Sequence, residues 1–457
     1  MSNNNYFSVT NDSLKETIND GATLLLNGSV FKLPYEYTGW REEQMASKES
    51  AYLGTYLNQA SKTDICGPDA VKFLNCVCTN NFDNLKVGRI RHGVVCNERG
   101  QIMVDGVIMK LDEDLFRAYC FSPIMDFLLK KYGQEYNIQT TDRTLEEFLF
   151  QIDGASSYEI VYEAVGQDHR LNEIKFAQHD KFMIDGKEVI ILRMGMTGNL
   201  AYEVHGKMSE AKEIYDYIWN IGKKKNMKKL GAHAYTMGHT EGGFSNMGLH
   251  YPMPWFESED AGFEGLVQYL QSRPGLGYTN ENRRLLGSVG EELDMRFVTP
   301  FDVGWNSLVK FDHDFTGRAT LEKIAENPPR AVVTLEWNVD DIMDIYGSQF
   351  RGKEVEPYDY IDDRPNDMEQ TSSLMAYFAD KVVKNGEQIG ISVGRQVSQY
   401  YHRMISLAYV KPEFAKLGTE LEVVWGYPGH PQKLVRTKVA PFPYLNLTNN
   451  RSEDAAK

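Results

Sequence analysis

The sequence predicts an α+β fold that ends in a compact β-rich domain, either a barrel or a sandwich. Helical and strand patterns alternate from Tyr35 to about Tyr132. Residues 327–330 (NPPR) interrupt the pattern, and only short β-rich runs follow them. These observations place the main domain boundary at residue 328.

Four segments are expected along the chain. Residues 1–30 mix polar residues with one helix-like run and form a lead-in. Residues 31–328 form the main region, residues 329–445 the β-rich domain, and residues 446–457 a polar tail.

Local patterns predict elements in the main region. Residues 67–70 (GPDA) open a helix, and residues 97–100 (NERG) form a polar turn of a hairpin. A further helix is expected from Ser209 to Lys224. The long segment from Phe244 to Pro300 contains many Gly, Pro and aromatic residues, a composition that often marks a functional loop.

Composition narrows the classes of partner. The chain has 457 residues and a formal net charge of −15, which argues against nucleic acid and anionic membranes as partners. It contains no apolar stretch long enough for a membrane span and begins without a signal-peptide pattern. The five cysteines show no CxxC pair, so we expect reduced thiols, no metal site and a cytoplasmic protein.

The most informative motif is the turn at residues 195–198 (GMTG), which follows an apolar strand pattern at residues 189–192. It leads to Tyr202 and Glu203 on a second extended segment. A fixed carboxylate at Glu203 could accept two N–H donors from a flat heterocycle such as a pterin. The alternative is an ordinary hairpin with a solvated acid.

Several separated segments resemble the aminomethyltransferase family, which contains the folate-binding T-protein of the glycine cleavage system. The resemblance rests on the 193–204 turn, on residues 67–70, 79–80 and 97–100, and on residues 311–318 (FDHDFTGR). It continues through the C-terminal runs 405–410 and 418–421. The segments occur in the same order from about Tyr35 to Phe442.

The resemblance implies a three-lobed, ring-like folate-binding fold with a C-terminal β-barrel, in which residues 31–328 form two lobes. It also implies tetrahydrofolate as the cofactor, with Glu203 on the pterin. Arg318 could meet the glutamate tail of the folate or could pair with a surface acid. The residues expected around the folate are Glu203, Tyr202, Met196, Thr197, Val104 and Arg318.

One departure from the family pattern bears on the reaction. The family carries two adjacent aspartates after the 97–100 turn, and the catalytic first one falls on Val104. Asp105 matches the second acid and is expected to be structural. A valine cannot take up a proton or stabilise a positive charge, so glycine cleavage is disfavoured.

A second departure resembles the folate-dependent demethylases of methoxyarenes such as vanillate and syringate. Tyr235 stands where the aminomethyltransferases have arginine, and this resembles the tyrosine that those demethylases place beside the reacting methyl group. Its hydroxyl could move the proton that the departing phenolate needs. The alternative for Tyr235 is a core tyrosine with a satisfied hydroxyl.

The methyl donor is expected to contact four residues, which are Tyr37, Gln59, His92 and Trp255. Each of these also has a structural alternative, such as a hydrogen-bonded histidine or a core aromatic residue. Because Gln59 departs from the pattern expected of vanillate demethylases, the donor could be a methoxyarene without a carboxylate.

The sequence therefore predicts a tetrahydrofolate-dependent O-demethylase that yields 5-methyltetrahydrofolate and a phenol. The alternatives are an S- or N-demethylase, a glycine-cleavage aminomethyltransferase, and a folate-binding protein without enzymatic activity. The expected partner is a small methyl donor, and the oligomeric state stays open.

Overall fold

The computed structural model describes residues 12–27, 32–195, 198–254, 264–272, 283–361 and 375–445. The chain forms two compact units. The described part of the first lies within residues 12–93 and 104–238, and that of the second within residues 94–103 and 239–445. The four segments expected from the sequence stay a prediction, because these units divide the chain differently.

The strands up to residue 230 build the first unit. The end of one hairpin, residues 94–103, belongs to the second unit. These strands are β1 (Leu24–Asn27), β2 (Lys32–Glu36), β3 (Tyr52–Gly54), β4 (Lys62–Cys66), β5 (Arg89–Cys96), β6 (Ile102–Asp112), β7 (Leu115–Tyr119), β8 (Gln139–Asp142), β9 (Glu147–Asp153), β10 (Gln178–Ile184), β11 (Lys187–Arg193), β12 (Ala201–Lys207) and β13 (Lys228–Leu230).

Eleven of these strands form one sheet in the order β13-β3-β9-β12-β11-β10-β5-β6-β7-β4-β8. The pairing of β13 with β3 is parallel, and β9 pairs antiparallel with both β3 and β12. The two strands that carry Gln151 and Glu203 are therefore neighbours in the middle of the sheet.

The helices of the chain, in order, are α1 (Asp12–Asn19), α2 (Trp40–Glu49), α3 (Ala70–Val77), α4 (Ile124–Tyr132), α5 (Ser157–Ala164), α6 (Ala211–Gly222), α7 (Ala232–Glu241), α8 (Leu266–Gln271), α9 (Arg318–Glu326) and α10 (Val339–Ser348). The helix expected after residues 67–70 is α3. The helix expected over residues 209–224 is α6, which is shorter because single 3₁₀ turns stand at both of its ends.

Helices α5 and α6 cover one face of the large sheet. Apolar residues of α6 recur at helical spacing, and Ile214 and Ile218 pack in the same core as Phe150 and Val204 of the sheet. Consecutive strand residues point to opposite faces, so the odd-numbered residues of β9 and β12 lie on the other face.

The second unit contains a closed barrel, which confirms the α+β prediction and selects the barrel over the sandwich. Its strands run in the order β15-β19-β18-β17-β20-β21, and β14 pairs separately with β16. The strands of this unit are β14 (Arg283–Leu286), β15 (Ala331–Trp337), β16 (Met375–Phe378), β17 (Asp380–Lys384), β18 (Glu387–Ser398), β19 (Arg403–Val410), β20 (Glu420–Trp425) and β21 (Lys433–Ala440).

Gly317 brings two of the sequence motifs together within the second unit. Its φ is +85°, and a Cβ there would lie 2.3 Å from the carbonyl oxygen of Asn97. The Thr320 hydroxyl donates to the carbonyl oxygen of Glu98 at 2.8 Å. The 97–100 turn and the 311–318 segment therefore form one packed contact that requires glycine.

Replacing Gly317 by alanine should lower the melting temperature more than the same change at Gly352. Both residues have a φ of +85°, but no atom lies within 4 Å of a Cβ at Gly352. The shared backbone penalty is about 1–2 kcal/mol. Overpacking at Gly317 adds about 1–3 kcal/mol. Calorimetry of the two variants measures the difference, and equal melting temperatures would contradict this packing.

Two buried histidines make stability depend on pH. Burial lowers the pKa of His179 from 6.5 to about 4 and that of His250 to about 3. Between pH 6.5 and about 4 the unfolded chain therefore binds more protons, and stability falls as the pH falls through this window. His179→Gln should show a smaller loss of melting temperature than the unmodified protein between pH about 6.5 and about 5. An equal loss in both would remove His179 as a cause.

None of the helices within the described ranges is long and apolar enough to cross a membrane.

Candidate functional site

Glu203 lies at the centre of a buried polar cluster on the sheet face that α5 and α6 leave uncovered. Its Oε1 accepts a hydrogen bond from Gln151 Nε2 at 3.2 Å. Its Oε2 lies 3.2 Å from His205 Nε2, two residues further along the same strand. A carboxylate oxygen can accept two hydrogen bonds, so Glu203 retains acceptor capacity for a ligand.

Gln151 adds a second acceptor beside Glu203. The two residues are directly paired across β9 and β12. Gln151 Oε1 is buried and has no hydrogen-bond partner among the residues that the structure describes. An unsatisfied buried acceptor is costly, so this atom indicates a place for an N–H or O–H donor of a ligand.

A chain of buried polar groups supports Glu203 from behind. Burial lowers the pKa of His205, so the ring is neutral, and with its hydrogen on Nε2 it donates to Glu203. Its Nδ1 lies 3.0 Å from the Tyr119 hydroxyl. That hydroxyl also lies 2.5 Å from Glu147 Oε1, so its one hydrogen can be donated either to Glu147 or to His205 Nδ1.

Arg117 closes the far end of this chain. It contacts Glu147 and forms a bidentate pair with Asp64, with distances of 2.5 and 2.9 Å. A planar guanidinium between two carboxylates fixes both of them in orientation. Glu203 is thus held in place by groups that come from four strands.

Tyr235 on α7 packs with Tyr52 of β3, the strand that pairs with β9 beside Gln151. Its ring stacks on Tyr56, with centroids 4.7 Å apart and planes at 29°. Burial raises the pKa of Tyr235 well above its ordinary value, and the nearby Tyr56 and Glu203 add to this effect. The hydroxyl therefore stays protonated near neutral pH. It can donate a hydrogen bond, but it is not a base, which corrects the expectation of a phenol with an ordinary pKa.

Tyr202 does not join Glu203, although the two are adjacent in sequence. Neighbouring residues of a strand point to opposite faces. Tyr202 is fully buried in the core beneath α5 and α6, together with Val204. The expectation that both residues contact one ligand is wrong for this geometry.

Asp105, and not Val104, lies on the sheet face that carries Glu203. Asp105, Val107 and Met109 alternate along β6, and the last two pair with Tyr119 and Arg117 of the polar face. Asp105 therefore shares the face of Glu203, whereas Val104 is buried on the opposite face. The missing acid at Val104 consequently no longer argues against aminomethyl transfer.

His92 holds the carboxylate on this face. Its Nε2 lies 2.8 Å from Asp105 Oδ2, and both side chains are mostly buried. Burial and the Asp105 carboxylate raise the pKa of the Cys120 thiol to about 12. His92 and Asp105 therefore form a second polar pair on the sheet face that carries Glu203.

Tyr37 and Gln59 differ in their access to this region. The Tyr37 hydroxyl donates to the carbonyl oxygen of Ile18 at 2.5 Å, and the ring is buried. This hydroxyl is committed to the fold rather than to a substrate, which corrects the expectation for Tyr37. Gln59 is half-buried at the end of the 3₁₀ turn Tyr56–Gln59, and Tyr56 begins that turn.

The remaining predicted residues fall elsewhere. Arg318 donates to Glu322 and Asp314 at 2.8 and 2.7 Å, as in the surface-pair alternative. A contact of Arg318 with the folate tail stays a prediction. Met196, Thr197 and Trp255 lie outside the described residues.

The sequence analysis missed several residues of this region, among them His205, Tyr56 and Gln151. His205 could have been found, because it is two residues from Glu203 in a strand and must share its face. Tyr56 lies just before the segment that was compared with the family. Gln151 carries no local signal, since only the pairing of β9 with β12 brings it to Glu203.

Comparison with known proteins matches most of the chain. Residues 15–251 match the family model described as the GCVT N-terminal domain. The chain is 44% identical over 446 residues to the sesamin methylene transferase of Sinomonas sp., covering 97% of this chain and 96% of that protein. It is 28% identical over 447 residues to the syringate O-demethylase of Sphingobium sp., covering 93% and 92%.

More distant similarity reaches the glycine cleavage system. An aminomethyltransferase of Thermotoga sp. is 25% identical over 423 residues, covering 91% of this chain and 92% of that protein. The crystal structure of aminomethyltransferase T from Bartonella henselae superimposes with a TM-score of 0.66 at 18% identity. That alignment covers 95% of this chain and 98% of the other, so the two chains share a fold.

Proposed function

The chain belongs to the family of the GCVT N-terminal domain, and on this premise we propose that it is a tetrahydrofolate-dependent O-dealkylating transferase. It takes a one-carbon group from oxygen on an aromatic ring and transfers it to tetrahydrofolate, which accepts a methyl group at N5. With a methoxyarene as donor, the products are 5-methyltetrahydrofolate and a phenol.

The observation that carries this proposal is the pair of acceptors formed by Glu203 and Gln151. The pyrimidinone edge of a pterin presents an amino group and a ring N–H, both hydrogen-bond donors. Glu203 has spare acceptor capacity, and Gln151 Oε1 is a buried acceptor without a partner among the described residues. The residues therefore fit the pterin edge, and the chain Arg117–Glu147–Tyr119–His205 pre-orients the carboxylate.

The leaving oxygen of an aryl ether needs a hydrogen-bond donor, and Tyr235 can supply one. Cleaving an aryl ether leaves a phenolate, which must gain the proton that the folate nitrogen loses. Tyr235 keeps its proton because its pKa is raised, so it can donate a hydrogen bond to the ether oxygen as negative charge develops there. Alignment of donor oxygen, carbon and nitrogen contributes the rest of the rate increase.

The relatives support two forms of aryl ether as donor. Syringate is a methoxyarene, as the sequence analysis expects. The sesamin methylene transferase is the more similar relative of the two, and its name states that it transfers a methylene group. We therefore include a methylenedioxyarene as a second candidate donor, for which the transferred group is a methylene.

We also propose that the reaction takes place in the cytoplasm and involves only small molecules as partners. The five cysteines are all free thiols, which agrees with a reducing compartment. The net charge of −15 gives no electrostatic basis for binding nucleic acid.

The test is a panel of donors incubated with the purified protein and tetrahydrofolate. Methoxybenzenes or benzodioxoles should release a phenol or a catechol, detected by liquid chromatography. Turnover of a sulfonium compound, a methylamine or glycine-derived aminomethyl groups, with no turnover of any aryl ether, would replace this proposal by one of its alternatives.

A further inference from the structure

Tyr56 is a second phenol beside Tyr235. The two rings stack at 4.7 Å between centroids, with 29° between their planes. Tyr56 also packs against the buried cluster that contains Tyr235 and Tyr52 of β3. The two phenol rings therefore lie face to face, and each carries one hydroxyl group.

The turn that carries Tyr56 is fixed to the sheet. The amide of Asn58 donates to the carbonyl oxygens of Thr55 and Leu149 at 2.8 and 2.7 Å. Its Oδ1 accepts from the backbone N–H of Leu149 at 2.9 Å. Asn58 is fully buried, so these bonds anchor the turn to β9, the neighbour of the strand that bears Glu203.

Lys62 holds the other side of the same turn. Its buried ammonium donates to the carbonyl oxygens of Asn58 and Ala60, at 3.1 Å in each case. These two bonds satisfy the buried lysine and tie the end of the turn to β4, which begins at Lys62.

The two classes of aryl ether differ in the number of protons that their oxygens gain during the reaction. A methoxyarene loses one C–O bond, and one phenolate oxygen gains the one proton that the acceptor nitrogen gives up. A methylenedioxyarene loses two C–O bonds on adjacent ring carbons. Its two oxygens gain two protons, one from each of the two acceptor nitrogens that the methylene comes to bridge. Only the second donor needs two neighbouring hydrogen-bond donors at its oxygens.

We propose that Tyr56 is a catalytic residue for a methylenedioxyarene, donating a hydrogen bond to the second ring oxygen while Tyr235 serves the first. This inference rests on the proposed function and specifies its donor class. It assigns one hydroxyl of the stacked pair to each of the two ring oxygens.

The test compares Tyr56→Phe with the unmodified protein on benzodioxole and on methoxybenzene. The variant should lose about 100-fold in kcat on benzodioxole. It should stay within about threefold on methoxybenzene, where one donor suffices. Tyr162→Phe is the matched control, because Tyr162 also stacks on a tyrosine, Tyr158, but belongs to α5 on the other face of the sheet. This control should leave both rates unchanged.

Binding of the product gives a readout without turnover. Tyr56→Phe should weaken catechol binding by about fivefold and leave phenol binding unchanged, as measured by calorimetry. Equal losses of kcat on both donors, a change in KM alone, or unchanged catechol affinity would overturn the role of Tyr56. If the unmodified protein turns over neither ether, the proposed function fails, and the catechol comparison still decides whether Tyr56 meets a second oxygen.

Discussion

The Glu203→Gln variant should bind tetrahydrofolate about 100-fold more weakly than the unmodified protein. A carboxylate that accepts two N–H groups contributes about 1.5 kcal/mol for each charge-assisted bond, which together correspond to about 100-fold in affinity. The amide loses this charge. In the unmodified protein, N–H groups of Gln151 and His205 face the Glu203 carboxylate. In the variant, the amide N–H₂ group would face one of these donors. Quenching of protein fluorescence by tetrahydrofolate measures the dissociation constant.

A matched control for this variant is Glu188→Gln. Glu188 lies on the adjacent strand β11, but it is exposed and pairs with Lys181. Its substitution should leave folate affinity unchanged, since exposed pairs contribute less than about 1 kcal/mol. A Glu203→Gln variant that is stably folded and binds tetrahydrofolate with unmodified affinity would remove Glu203 from the site.

The Tyr235→Phe variant should lose about 100-fold to 10,000-fold in kcat on an aryl ether, with little change in folate affinity. The change removes the one hydroxyl that donates to the leaving oxygen and keeps the stacking on Tyr56. Because the pKa of Tyr235 is raised well above its ordinary value, the rate should show no loss from its ionisation up to about pH 10. Steady-state rates across pH give both quantities.

The control for this variant is Tyr158→Phe on α5, whose hydroxyl donates to Asn172 away from the cluster. It should retain full activity. The leaving group of a sulfonium donor is neutral and needs no hydrogen bond, so any turnover of such a donor should be insensitive to Tyr235→Phe. A Tyr235→Phe variant that keeps more than about half of its rate on aryl ethers would contradict the role of this hydroxyl.

Elements fixed by local patterns could be predicted from the sequence. The helix after residues 67–70, the 97–100 turn and the C-terminal β-domain follow from turn residues and apolar spacing. Glu203 and Tyr235 follow from the resemblance to the family, and their roles stay predictions.

The errors came from reading neighbours in sequence as neighbours in space. Tyr202 and Glu203 lie on opposite faces of β12, and Val104 and Asp105 lie on opposite faces of β6. Strand alternation contained this information, once both segments were recognised as strands.

Other features depend on contacts between distant segments. The pairing of Gln151 with Glu203 requires the register of β9 against β12, which single-segment patterns do not reveal. The Tyr37 hydroxyl donates to a carbonyl oxygen near the end of α1. The local sequence around Tyr37 does not reveal this contact. Both outcomes depend on tertiary packing.

The most direct test of the central claim follows the transferred carbon itself. An aryl ether labelled with carbon-13 in its methoxy or methylenedioxy group is incubated with the protein and tetrahydrofolate, and the products are followed by NMR. The label should leave the ring oxygen and appear bound to N5 of the folate, in step with the release of phenol or catechol. Label that stays on the aromatic compound, or leaves it without reaching the folate, would contradict the account.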